Sequence, residues 1–103
     1  MNSKMYRKLE KIIGHYGINN QLKKLNEETY ELIEAILTFG QENNHKSQNH
    51  VIEEMGDVYV VLKQLQIYYG ISENEIEDTM TFKIERQLQR IESEEKRRNK
   101  NNE

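Results

Sequence analysis

Apolar residues return every three or four positions along almost the whole of this 103-residue chain, and no Pro interrupts them. That period belongs to a helix with one buried face, so the chain is restricted to an all-α fold. Four segments carry the pattern. The first, about Ser3 to His15, presents Met5, Leu9, Ile12, Ile13 and Tyr16. The second, about Asn20 to Phe39, presents Leu22, Leu25, Leu32, Ile33, Ile36 and Leu37, with Asn19 or Asn20 expected as its N-cap. The third, about Val51 to Tyr69, places Val51, Met55, Val58, Leu62, Leu65 and Tyr69 on one side. Its run Val58 to Val61 would suit a strand, but the helical spacing persists and outweighs that local preference. The fourth opens on Ser72 with Glu75 three residues on, a capping box flanked by Ile71 and Ile76 as a hydrophobic staple. Ile76, Met80, Ile84, Leu88 and Ile91 then form one stripe.

Gly14, Gly17, Gly40 and Gly70 fall where an apolar period stops, as helix C-caps do. Gly40 to His50 reads GQENNHKSQNH, with no apolar residue, and is expected to be the one substantial internal loop. From Glu92 the chain is a polar run, ESEEKRRNKNNE, expected to fray. The expected organisation is one four-helix-bundle-like all-α domain over residues 1–91, with its long middle pair antiparallel, and a polar tail over 92–103.

Only 35% of the residues are hydrophobic and 32% are charged, a thin core for a small domain standing alone. Apolar faces shared between copies are the natural remedy, so an oligomer is expected. The longest apolar run, Val58 to Leu62, is far too short for a bilayer, and Met1-Asn2-Ser3-Lys4 leads into an amphipathic stretch instead of a signal-peptide core, so no membrane partner is expected. The absence of Cys removes disulfides and thiolate chemistry and is compatible with a cytoplasmic setting. A net charge of -3 argues against a nucleic-acid polymer as partner. Lys96, Arg97, Arg98 and Lys100 do not change this, since Glu94, Glu95 and Glu103 interleave with them.

Acidic residues carry the chemistry. Glu28 and Glu31 are three apart on the second segment, and Glu54 and Asp57 are three apart on the third. Such pairs lie about 60° apart on one side of a helix. Spacing alone is weak, because the chain also has acid pairs at 31/34, 75/78 and 92/95. Position says more. On both segments the first acid borders the apolar stripe and the second lies about 60° further out, on the same rotational side. Antiparallel packing would then bring both pairs to one groove. Gly56, between the acids of the second pair, is either a tolerated small residue or the mark of a close approach. Carboxylates gathered in this way repel, by about 4 kcal/mol for two charges about 4 Å apart at an effective dielectric near ~20. They want a cation, and oxygen-only donors select Mg²⁺ or Mn²⁺ over zinc. The alternative is a set of solvated acids on a charged surface.

The run Gln21 to Ile36 (QLKKLNEETYELIEAI) resembles the first motif helix of the MazG-like nucleotide pyrophosphohydrolases. Glu53 to Leu62 (EEMGDVYVVL) resembles the second, and Lys83-Ile84-Glu85-Arg86 the basic motif that follows. The resemblance implies an all-α fold assembling as a homodimer or dimer of dimers. It implies Mg²⁺-dependent hydrolysis of a nucleoside triphosphate to the monophosphate and pyrophosphate. By position it makes Glu28, Glu31, Glu54 and Asp57 metal ligands and Lys83 and Arg86 phosphate contacts. Thr81 stands where many relatives carry Asn, a departure near the phosphate contacts. Within this reading Glu31 or Glu27 is a spare carboxylate able to act as the base, and the 40–50 loop is either a lid or a plain connection.

The remaining side chains carry less. His15, His45 and His50 are scattered, and two loop histidines make an incomplete zinc set. Tyr59, Tyr68 and Tyr69 suit core or subunit packing, or stacking on a base. Two other readings compete with hydrolysis: a metal-free helical interaction module, and a relative that senses nucleotides without turnover.

Overall fold

The computed structural model describes residues 2–102. Met1 and Glu103, the outer ends of the expected domain and tail, lie outside them. Four helices follow in order, α1 (Ser3–Tyr16), α2 (Ile18–Glu42), α3 (His45–Tyr69) and α4 (Glu73–Asn101), with no strand among the described residues. The all-α expectation holds. The chain divides into two units, one ending at Gly70 and one beginning at Ile71.

In the first unit α2 and α3 form a hairpin whose contact runs along both helices, and α1 packs mainly on α3. The hairpin turn is much shorter than the expected loop. Only Asn43 and Asn44 separate the helices. Asn43 closes α2 in the left-handed conformation, φ 49°, which Asn tolerates better than most residues. Asn44 starts α3 with a capping box: Ser47 N–H donates to Asn44 Oδ1 at 2.8 Å, and Asn44 N–H donates to Ser47 Oγ at 3.2 Å. The polar run is thus a paired stop and start signal followed by the exposed first turns of a helix, and no 40–50 loop remains to act as a lid. Gly14 and Gly40 are likewise inside helices.

Gly17 alone joins α1 to α2, with φ 83°, a value that favours glycine. It is both C-cap and N-cap, and no side chain caps α2. Asn20, a candidate for that role, is already helical and donates from Nδ2 to Tyr16 O at 2.7 Å.

The interior is half polar. Leu9, Ile13, Ala35, Val51, Val58 and Val61 are buried, and so are Gln21, Glu28, Ser47, Glu54 and Gln64. The buried line of α2 is Gln21, Glu28 and Ala35, with Leu25 and Leu32 half-buried between them and Phe39 half-buried beyond. The line of α3 is Ser47, Val51, Glu54, Val58 and Val61, ending at half-buried Leu65. Both step four, three, four, three, which is a heptad seam between antiparallel helices. The expected stripes were drawn through apolar residues alone and catch only part of this seam, Leu25 and Leu32 of α2 and Val51, Val58 and Leu65 of α3. Leu22, Ile33, Ile36 and Leu37 of α2 are exposed, as are Met55, Leu62 and Tyr69 of α3. Tyr59 and Tyr68 are exposed too, so none of the three tyrosines is a core residue.

The second unit is α4. Its capping box is present: Glu75 N–H donates to Ser72 Oγ at 3.1 Å, and Ser72 N–H donates to Glu75 Oε2 at 2.8 Å. The second bond holds the Glu75 carboxyl below its usual pKa. The helix continues through the segment expected to fray, as far as Asn101, with Lys96 Nζ 3.1 Å from Glu92 Oε1. It carries no buried side chain.

Candidate metal centre

Glu28 and Glu54 are seam residues, not border residues. They face each other across the hairpin at positions where a coiled pair would carry leucine, and they are only 6% and 7% exposed. Asp57, one turn beyond Glu54 in α3, is exposed and closes the group. One carboxylate oxygen from each of Glu28, Glu54 and Asp57 lies within 4.8 Å of the other two. Helices run antiparallel through a two-residue turn can hold acids this close only because both acids keep the same heptad phase.

Glu28 Oε2 and Glu54 Oε2 are buried without a hydrogen-bond partner. A buried polar atom left unpaired is costly, and an ionised one more so. The strain is visible in Glu54, whose carboxyl is pushed above its usual pKa by burial first, then by the charges of Glu31, Glu28 and Asp57. The donor set is all oxygen, two of its atoms lack partners, and the local charge is strongly negative. These residues fit a hard divalent cation.

Glu31 follows Glu28 by one turn on the exposed side of α2. Its oxygens are outside the three-carboxylate group, while its charge still reaches Glu54. Glu27 is exposed, and its charge bears on Lys24. Lys83 and Arg86 lie one turn apart on α4, with Arg86 Cζ 5.9 Å from the centre of the Phe82 ring. The structure therefore gathers Glu28, Glu54 and Asp57, keeps Glu31 within electrostatic range, and sets the two basic residues on the helix of the second unit.

A lysine and a histidine border the acids. Lys24 Nζ is 3.3 Å from Glu28 Oε1, and that contact, together with the Glu28 charge, raises the Lys24 pKa. His50 Nδ1 is 3.9 Å from both Glu53 Oε2 and Glu54 Oε1. Both reach the acids by helical spacing, i to i+4 or i+3, a signal already present in the sequence. His45 and His50 share α3, where a separation of five residues turns them about 140° apart, and this removes the zinc reading. Beyond its own helix backbone, no heavy atom among the described residues comes within 4 Å of a β-carbon placed on Gly56, so neither α1 nor α2 makes the close approach considered for it.

Residues 17–101 match the family model for the MazG nucleotide pyrophosphohydrolase domain. The chain belongs to the MazG family. The match takes in both acid-bearing helices of the MazG hairpin and the whole of α4. No curated protein and no solved structure matches the chain. No helix of this MazG chain is long and apolar enough to cross a membrane, among the described residues.

Beside the carboxylates a cleft of about 490 Å³ opens between α1, α2 and α3. Glu28 and Asp57 form one end of it. Its lining includes a buried hydrogen bond in which Gln21 Nε2 donates to Gln64 Oε1 at 2.6 Å. Neither glutamine stood out in the sequence. Both stand in or beside the heptad seam, and a search for that period, with polar residues allowed in it, would have found them.

Proposed function

We propose that this MazG chain is a Mg²⁺-dependent pyrophosphohydrolase that converts a (d)NTP to the (d)NMP and pyrophosphate. The observation that carries the reading is the pair of buried, unpartnered oxygens on Glu28 and Glu54, beside Asp57 and at the end of an open cleft. A seam that trades two core positions for carboxylates with one unpartnered oxygen each gains nothing in stability. The cost is repaid when a divalent ion is held there together with a polyanionic substrate.

In this reading Glu28, Glu54 and Asp57 hold Mg²⁺, with Glu31 as the fourth ligand or as the base; Mn²⁺ meets the same donor preference. Bound Mg²⁺ supplies neutralisation of developing phosphate charge and a lowered pKa for a coordinated water. Glu31, or Glu27, accepts the proton of the attacking water. The water oxygen bonds to the α-phosphorus, the bond from that phosphorus to the α–β bridging oxygen breaks, and pyrophosphate leaves. Lys83 and Arg86 act as cations for the pyrophosphate end. The chain acts on the nucleotide pool of the cytoplasm and works as a homodimer or dimer of dimers, which would cover the apolar stripe of α4.

The test is a panel of ordinary and damaged NTPs incubated with Mg²⁺ and assayed for pyrophosphate. Release is expected from at least one, and Asp57→Asn is expected to abolish it with helicity unchanged. No pyrophosphate from any NTP, or undiminished release by Asp57→Asn, would overturn the reading.

A further inference from the structure

We propose that the cleft between α1, α2 and α3 takes the nucleoside part of the substrate, and that Gln21 and Gln64 read the edge of its base. The proposal rests on the pyrophosphohydrolase reading above and adds the residues that choose among substrates.

Gln64 is the most deeply buried large side chain among the described residues, at 1% exposure, and Gln21 is nearly as hidden. Amides in such a small core weaken it unless every polar atom is used. Their mutual bond uses one Gln21 donor and the Gln64 acceptor. What remains is the Gln21 carbonyl oxygen and its second N–H, with the Gln64 amino group, so that an acceptor stands beside donors. Turning both amides together exchanges the two roles. A neighbouring donor and acceptor is what the edge of a nucleobase offers in return, and paired contacts of this kind are how amide side chains recognise adenine. Neither a bare phosphate nor an apolar ligand would satisfy these atoms.

The distance fits. Gln21 lies two turns before Glu28 on α2, and Gln64 lies two turns after Asp57 on α3. Because the helices are antiparallel, both amides are displaced from the carboxylates in the same direction, by about 10 Å at 1.5 Å per residue. A nucleotide held by its phosphates at the carboxylates extends its base over such a span. The cleft walls suit the ring: Val60 and Val61 line it from α3, and Ile12 and Tyr16 from α1. The Asn20 bond to Tyr16 O ties that end of α1 to α2. The cleft's volume is in the range of small-ligand sites.

The experiment follows the side-chain amide resonances of ¹⁵N-labelled wild-type protein during titration with nucleoside monophosphates and Mg²⁺, with ribose 5-phosphate as the baseless control. The Gln21 and Gln64 signals should shift with the nucleotides and not with the control. Shifts equal in both titrations, or none, would overturn the proposal. In parallel, Gln64→Leu is assayed over the NTP panel. It should compress the wild-type preference among bases by about 5- to 100-fold, and an unchanged order and spread of kcat/KM would overturn the assignment. Should Gln64→Leu not fold, the titration still decides. Should wild type release no pyrophosphate, the proposed activity fails while the titration still reads the cleft.

Discussion

Lys24 sets its ammonium 3.3 Å from Glu28 Oε1, one turn earlier on the same helix, so a buried carboxylate of the candidate metal centre already holds a cation of the protein. A divalent ion arriving at Glu28 must compete with it. Lys24→Gln is therefore expected to tighten Mg²⁺ by up to about fivefold, the scale of an exposed ion pair. Calorimetric titration at low salt reads this directly. Weaker binding in the variant would show that Lys24 supports the site instead of competing for it.

Glu54 gives the metal-free protein a distinctive pH dependence. Its folded pKa is raised, by burial and by the neighbouring acids. The folded state then holds that proton more tightly than the unfolded chain, and stability from this group falls as pH rises from the ordinary carboxyl value through the raised one. Glu54→Gln should consequently melt at a higher temperature than wild type at pH 7 without metal, and the difference should shrink on acidification. Added Mg²⁺ should raise the Tm of wild type and leave the variant unmoved. Thermal melts at pH 5 and pH 7, with and without Mg²⁺, test both parts.

The two candidate bases are separable. The charge of Glu31 bears on Glu54, whereas that of Glu27 bears on Lys24. Glu31→Gln should thus lower kcat by about 10²- to 10⁴-fold, the usual worth of a general base, and Glu27→Gln by less than about tenfold. Single-turnover kinetics at saturating Mg²⁺ distinguishes the outcomes, and the reverse order would exchange the roles.

Self-association is testable on α4. Ile76, Met80, Ile84, Leu88 and Ile91 are all exposed, at 36% to 54%. A helix with an apolar stripe and no buried residue needs tertiary partners to persist in water. Leu88→Glu is expected to lower the solution mass toward that of a monomer in sedimentation equilibrium. An unchanged mass would place the contact elsewhere, with the exposed Ile33 and Leu37 of α2 the next surface to alter.

Much of the fold was legible because capping chemistry is local. Ser72 and Glu75 announced the start of α4, and Gly17 and Gly70 sit at positive φ as helix ends should. Asn43 and Asn44 were hidden by their neighbours: a run with no apolar residue looks like a loop, yet two asparagines are enough to stop one helix and start the next. The acid pairs were legible by spacing, but their burial was not. Glu28, Glu54 and Gln21 take seam positions, and Gln64 one beside the seam, that a hydrophobic pattern cannot register, so the wheel turned toward leucines that face outward. Burial of polar residues is a tertiary outcome, set here by the register of the hairpin.

That register gives the Asn43–Asn44 turn a meaning beyond economy. With so little slack between the arms, the separation of Glu28 and Glu54 is encoded in chain length, much as tooth spacing fixes a gear train. One residue added between either acid and the turn carries that carboxylate about 100° around the axis and breaks up the carboxylate group, whereas excising one heptad from each arm, between the acids and the turn, leaves the mesh intact. Evolution can shorten or lengthen such a hairpin only in matched steps.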